Sequence, residues 1–346
     1  MKNCLFSDEG LILMSILPIF IPHAGCPHQC VFCNQKTISG QRTAALDGAK
    51  KQINKWLEWI KPSIENEAAF YGGSFTGLEV ELQKQLLALT DELIAKKIIG
   101  SVRLSTRPDY INTVELQLLQ KHSVKLVELG VQSLDNKVLV AAERGHTSAQ
   151  VDAAVQLLRQ YGFKIGLQLM IGMPEQSFDS VKETAAKVIA LKPDVARIYP
   201  LLVIKGTPLE KTYKDGGFAP LSIDEAVEQS AYLFNELENS GIKVIRIGLQ
   251  PDEELCSPGN IVAGPFHPSM GELVKSRVLR NKLTPQIAAL SKLGAKAVEI
   301  HCHKAVESKL RGQKNFNFIY WTSIFDLDRI IVVHNDNFEP RVIALG

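Results

Sequence analysis

The sequence predicts an α/β fold: a partial, TIM-like (β/α)6 barrel followed by a C-terminal mixed α/β extension. Three observations carry that expectation. Short β-branched or aliphatic runs alternate with amphipathic stretches of helical length, the pattern of parallel β/α units. Six such units follow one another before the alternation breaks near residue 207. The conspicuous glycine and polar residues also fall at the C-terminal ends of the strands, the end on which barrels of this kind carry their function.

The strands read from the pattern are Leu17–Pro22, Ala68–Tyr71, Ser101–Ser105, Lys125–Val131, Lys164–Ile171 and Val195–Tyr199. Helical stretches lie between them at Ala45–Ile60, Glu79–Lys97, Thr113–His122, Asn136–Glu143 carried on through Ser148–Tyr161, and Phe178–Leu191. Ser177 is placed to cap the last of these. Each strand runs into an unusual segment: Cys26 after the first, Gly72-Gly73-Ser74 after the second, Ser105-Thr106-Arg107 at the third. Gln132-Ser133, Gly172-Met173-Pro174 and Pro200-Leu201 follow the others. Beyond Thr207-Pro208 come two helices, a strand at Lys243–Ile247 and a Pro/Gly-rich loop over Pro251–Pro268. Further strands are expected near Ala297–His301 and Arg329–Val333. The chain therefore divides into an N-terminal extension (1–14), a core (15–206) and a closing region (207–346). Residues 1–13 carry no motif, and Met14 is the expected working start.

Composition excludes several classes. With 45% hydrophobic and 22% charged residues the 346-residue chain reads as an ordinary globular protein, and no apolar run reaches the roughly 18 residues of a membrane helix. Six cysteines in 346 residues are too sparse for a disulfide scaffold. A lipoprotein signal would place Cys26 after the apolar run Leu11–Ile21, but Asp8, Glu9, Pro18 and His23 spoil it, so the expectation is a cytoplasmic protein. Net charge is only +2, yet Gly271–Lys314 holds ten Lys/Arg (Lys275, Arg277, Arg280, Lys282, Lys292, Lys296, Lys304, Lys309, Arg311, Lys314) against three acids. Such a segment is an anion-binding face or a solvated helix surface.

The most informative motif is Cys26-Pro-His-Gln-Cys30-Val-Phe32-Cys33, a C-x3-C-x2-C run just after the first strand. Soft thiolates select iron–sulfur clusters or zinc. A closed zinc site takes four ligands, and His28, Cys256 or Cys302 would have to supply the fourth. A 4Fe–4S cluster held by only three cysteines instead leaves one iron open for chemistry.

This run resembles the signature of the radical S-adenosylmethionine (radical SAM) enzymes, in which the open iron binds S-adenosylmethionine and the cluster delivers the electron that cleaves it. The resemblance implies Cys26, Cys30 and Cys33 as cluster ligands and Phe32 beside the adenine. It also implies Gly72 and Gly73 as the segment that meets the methionyl amino group, although Ser74 stands where the family usually has Glu. Gln132 and Arg144 are similar to S-adenosylmethionine contacts of the oxygen-independent coproporphyrinogen oxidases, and an arginine suits the methionyl carboxylate because it can grip it bidentately. Gln168 stands where those enzymes have an Asp on the ribose, and Ser105 where they have Glu; a Gln amide still bonds a hydroxyl.

Phe20–Gln35 and the run Ala196–Thr207 resemble the radical SAM domain of the Elongator catalytic subunit family, over about residues 15–250. That family modifies the wobble uridine of tRNA, using an acetyltransferase domain that no segment here resembles. The resemblance implies a tRNA substrate bound through 271–314 and a low-potential electron donor of flavodoxin or ferredoxin type. Two other readings stay open: a radical enzyme acting on a small molecule, and a non-catalytic metal-binding module. His146 and His267 have no assigned role, and His301-Cys302-His303 is read as structural because neighbours in a strand point to opposite faces.

Overall fold

The computed structural model describes residues 2–5, 12–21, 26, 30–34, 45–250 and 255–345. Its main sheet contains β1 (Lys2–Leu5), β2 (Ile12–Phe20), β3 (Glu67–Tyr71), β4 (Ser101–Thr106), β5 (Val124–Gln132), β6 (Lys164–Ile171) and β7 (Val195–Pro200). A short β8 (Val203–Ile204) leaves this sheet, and β9 (Lys243–Ile247) returns to it, giving the order β1-β2-β3-β4-β5-β6-β7-β9. From β2 to β9 every pairing is parallel, so seven parallel strands curl into a half-barrel. The six expected strands are all present. The seventh, Lys243–Ile247, is expected from the pattern as part of the closing region and instead extends the main sheet by pairing with β7. Within the N-terminal extension, Lys2–Leu5 pairs antiparallel with Ile12–Ser15.

The sheet closes because its outward side chains are apolar and meet the helices. Leu17, Ile19, Phe70, Leu104, Val127 and Leu169 join one buried cluster with Leu86, Leu116, Val155 and Val188 from the covering helices. Sequence-local caps set where those helices begin. Asn112 Oδ1 accepts from Glu115 N, Thr147 and Ser222 each form a capping box, and Ser177 caps Phe178–Leu191 as expected.

One expected helix is two. Asn136–Ala141 and Ser148–Gln160 are separate, because Glu143 (φ 51°) and Gly145 (φ 70°) take left-handed conformations that stop the first. The break presents Arg144 and His146 to the rim.

After β10 (Ile261–Ala263), which pairs with β8, a long helix Met270–Lys292 leads into a small sheet of β11 (Ala297–Cys302), β12 (Arg329–His334) and β13 (Arg341–Ala344). It has its own core around Leu283, Ile287, Val298, Ile300, Cys302 and Trp321. The long helix anchors this unit to the barrel. Met270 and Val274 pack on Val227 and Ala231, and the buried Arg277 pairs with Asp224 and Glu228 of helix Ile223–Asn239. Among the described residues no helix is long and apolar enough to cross a membrane.

Trp321 is fully buried in the small core and its Nε1 donates to Thr284 Oγ1 at 2.9 Å. Trp321→Ala is expected to cost about 3–5 kcal/mol, the loss for a large buried aromatic. Denaturant unfolding of the variant should show that loss.

Candidate active site at the C-terminal rim of the barrel

The cysteine segment is fastened to the rim by backbone bonds. Cys33 N donates to Cys30 O (3.0 Å), Val31 N to Ala142 O (3.3 Å) and Leu209 N to Val31 O (2.8 Å), while Asn34 Nδ2 reaches Lys205 O (2.7 Å). Phe32 packs among Val31, Met170, Met173, Leu201 and Leu209, an apolar clamp. Cys30 is buried, Cys26 and Cys33 are half-buried, and none is in a disulfide. Burial pushes the Cys26 thiol up; the nearby Arg107 opposes it, and Cys30 adds to it. His28 lies outside the described residues. Cys302 is enclosed in the distant small core and cannot be a fourth ligand, and Cys256 is exposed.

Gly72 is a position only glycine fills. Its φ is +99°, and a Cβ there would stand 2.7 Å from Ile21 O. Ser74, two residues on, is buried and stapled: its hydroxyl lies 2.8 Å from that of Thr106 and accepts from Arg107 N at 3.2 Å. Its oxygen supports the β3–β4 rim.

Gln132 and Arg144 come together over the end of β5. The register slips between Gly130 and Gln132, and Gln132 has φ +67°. Such a bulge re-aims a side chain. A Cβ on Gly130 would meet Gln132 Nε2 at 3.1 Å and Arg144 Nη2 at 3.3 Å, so the missing side chain makes room for both. Arg144 Nη1 donates to Cys30 Sγ at 3.1 Å, and Nη2 donates to Gly130 O. Each terminal nitrogen therefore already gives one of its two N–H groups to the protein.

Three features lie beyond the roles the sequence assigns. Arg107, 3% exposed, is clamped by Asp109 (Nε–Oδ1 2.9 Å, Nη2–Oδ2 3.0 Å) and donates to Arg144 O. His146 is buried, and burial, reinforced by Arg144 and Arg107, lowers its pKa to about 4. The third is a polar layer inside the barrel beneath the rim. Arg197 forms a paired contact with Glu128 and donates to Tyr71 Oη (2.8 Å), and Arg103 bonds Glu67 and lies 3.7 Å from Glu128. Gln168 belongs to this layer, donating to Ser105 Oγ (3.0 Å) and Glu128 Oε2 (3.3 Å). Burial also pushes the Tyr71 phenol well up. Ionic side chains standing in otherwise apolar, doubly covered strands were the signal that could have found this layer.

Among the described residues no three His, Cys, Asp or Glu side chains surround a point fit for a single metal ion. The donor set suits a cluster better. Three thiolates are soft donors suited to iron–sulfur, and buried polar atoms without partners stand at the same rim: Arg107 Nη1, Arg144 Nε and Gln132 Oε1.

A half-barrel with three cysteines after its first parallel strand and cationic side chains at its rim is the arrangement of the radical SAM fold. The sequence pattern of the radical SAM superfamily matches residues 20–188, and that of the radical SAM C-terminal domain matches residues 193–280. The chain belongs to this superfamily, whose members bind a 4Fe–4S cluster and S-adenosylmethionine. It is 28% identical over 260 residues to a tRNA uridine(34) acetyltransferase of Methanocaldococcus infernus, covering 63% of this chain and 49% of that protein. It is 24% identical over 222 residues to the heme chaperone HemW of Lactococcus lactis, covering 62% of this chain and 57% of that one. Among solved structures, M. infernus Elp3 lacking its N-terminus superposes with a TM-score of 0.62 at 28% identity, covering 79% of this chain and 64% of that chain. The chain spans about half the length of the tRNA uridine(34) acetyltransferases it matches.

Gly72→Ala must shift the Ile21 carbonyl or abandon its backbone angle, so it should lower stability by more than about 1 kcal/mol, as measured by denaturant unfolding. His146 has a folded pKa of about 4 against an ordinary value of 6.5. The unfolded chain binds that proton more readily, so the stability present above pH 6.5 is lost as pH falls toward 4. His146→Gln should flatten the slope of unfolding free energy against pH in that window, and an unchanged slope would show that His146 does not carry it.

Proposed function

We propose that the chain is a cytoplasmic radical SAM enzyme that modifies tRNA, with Cys26, Cys30 and Cys33 holding the cluster. The observation that carries the site assignment is the set of unpartnered buried donors around Cys26 and Cys30. An apolar wall would be cheaper to build than buried guanidinium N–H groups without partners, unless a ligand completes them. Bound at this rim, the cluster and S-adenosylmethionine would supply a one-electron cleavage of the sulfonium and, from it, hydrogen abstraction at carbon.

The chain's own residues provide the surroundings. Phe32 and its apolar clamp exclude water beside the cysteine segment. Gly72 and Gly73 leave backbone groups accessible for the methionyl ammonium, and Gln132 aims its amide over β5. Gln168, tied to Ser105 and Glu128, is held in one orientation for the ribose hydroxyls. A low-potential donor of flavodoxin or ferredoxin type would deliver the electron.

The tRNA reading draws support from the tRNA uridine(34) acetyltransferase relatives and narrows the basic segment. Arg277, Lys282, Lys296 and Arg311 are in ion pairs, and Arg280 is buried against Tyr320 and Phe316. These five are not an open face, because acids or rings already hold them. Lys304, Lys309 and Lys314 have no acidic partner among the described residues. Lys309 lines an open cleft of about 220 Å³ with His267, Glu272, Ser308 and Gln313, and the exposed Phe316 stands nearby in sequence, a ring on which a base can stack.

Anaerobic reconstitution should give about four irons per chain, the content of that cluster type, and the reduced protein should form 5′-deoxyadenosine, faster with tRNA. Replacing any of Cys26, Cys30 or Cys33 by Ala should abolish both iron and product. Stoichiometric zinc without iron would contradict the assignment, and turnover indifferent to tRNA would favour a small-molecule substrate. Lys309→Glu with Lys314→Glu should weaken tRNA binding and flatten its salt dependence by about 0.7–0.9 for each phosphate no longer neutralised. The basal cleavage should stay unchanged.

A further inference from the structure

Arg107 and Arg144 are engaged in complementary ways. Arg107 uses Nε and Nη2 on Asp109 and Arg144 O, and its Nη1 is buried without a partner. Arg144 uses Nη1 and Nη2 on Cys30 Sγ and Gly130 O, and its Nε is buried without a partner. Arg107 Nη2 donates to Arg144 O and Arg144 Nη1 to Cys30 Sγ, so the two guanidiniums stand together at the cysteine segment. Among the described residues Asp109 is the one carboxylate paired with either of them, which leaves that face cationic. A buried N–H without an acceptor carries a desolvation penalty that an anion would relieve.

We infer that Arg107 is a second anion-binding residue of the S-adenosylmethionine site, and that the methionyl carboxylate takes one N–H from each arginine, Arg107 Nη1 and Arg144 Nε. The inference rests on the proposed reading of the rim. The terminal nitrogens of Arg144 already give one N–H each to the cysteine segment and β5, so Nε is its one nitrogen wholly without a partner. A carboxylate has two oxygens and therefore one acceptor for each free donor. Asp109 acts as a positioning residue that fixes the direction of Arg107 before the ligand arrives, which lowers the ordering cost of binding.

The test uses the cluster-loaded protein under anaerobic conditions and compares its affinity for S-adenosylmethionine with that for decarboxylated S-adenosylmethionine. Arg107→Gln should weaken the first by about 10- to 150-fold, the range for a lost charged hydrogen bond. The carboxylate-free analogue should bind parent and variant alike, and Arg107→Lys should recover only part of the loss, because it lacks the planar geometry. Equal affinity of parent and Arg107→Gln for S-adenosylmethionine would overturn the inference. So would an equal fold-loss for the analogue, which would make Arg107 a support of the loop and not a contact to the carboxylate. If Arg107→Gln fails to load iron, Arg107→Lys carries the same comparison: a greater loss for S-adenosylmethionine supports the inference, and equal losses overturn it. A parent protein that binds no S-adenosylmethionine at all contradicts the reading of the rim itself.

Discussion

The rim is organised by the Arg144 guanidinium, which bonds Cys30 with one arm and the carbonyl of Gly130 with the other. Those two bonds join the cysteine segment to the central strand β5. The backbone carbonyl of Arg144 receives Arg107, which brings in the end of β4 and Asp109. Ser74, bonded to both Thr106 and Arg107 N, extends the chain of contacts to the glycine segment after β3. Three consecutive strand ends and the cysteine segment are thus held in one buried polar network. Such networks are rigid when complete and costly when a member lacks its partner. The members still lacking partners face the cysteines.

A second consequence concerns the barrel interior. Parallel sheets covered on both faces are ordinarily lined with apolar side chains, yet this half-barrel carries Glu67, Arg103, Glu128, Gln168 and Arg197 within it. Burying the four ions among them costs several kcal/mol each unless they are paired, and they are. The layer lies beneath the rim and replaces the aliphatic lining that such a sheet ordinarily has. It fixes Gln168 and Tyr71 in single orientations, which apolar packing would not do.

Much of this is legible in the sequence because it depends on local pattern. Strand and helix order follow from periodicity, and Ser177 as a cap follows from one hydroxyl before one helix. Cys26, Cys30 and Cys33 announce themselves by spacing, and Gly72 by its place after a strand. What escapes a sequence reading depends on distant partners. Arg107 looks like a loop arginine until Asp109, Arg144 and Ser74 are folded around it. Arg144 looks like a free surface arginine until Cys30 and Gly130, remote in sequence, each take an N–H from one of its terminal nitrogens. Ten cations in Gly271–Lys314 suggest one basic face, but Asp224, Glu228, Asp326 and Glu339 neutralise several of them from other elements. Net charge along a sequence window says nothing of pairing across it.

The central claim is that this rim holds a cluster with one iron open to S-adenosylmethionine. Electron paramagnetic resonance of the dithionite-reduced protein, with and without S-adenosylmethionine, tests it most directly. A reduced 4Fe–4S signal whose g values shift on addition of S-adenosylmethionine is the predicted result. A signal that S-adenosylmethionine leaves unchanged, in protein carrying its full iron, would contradict the account.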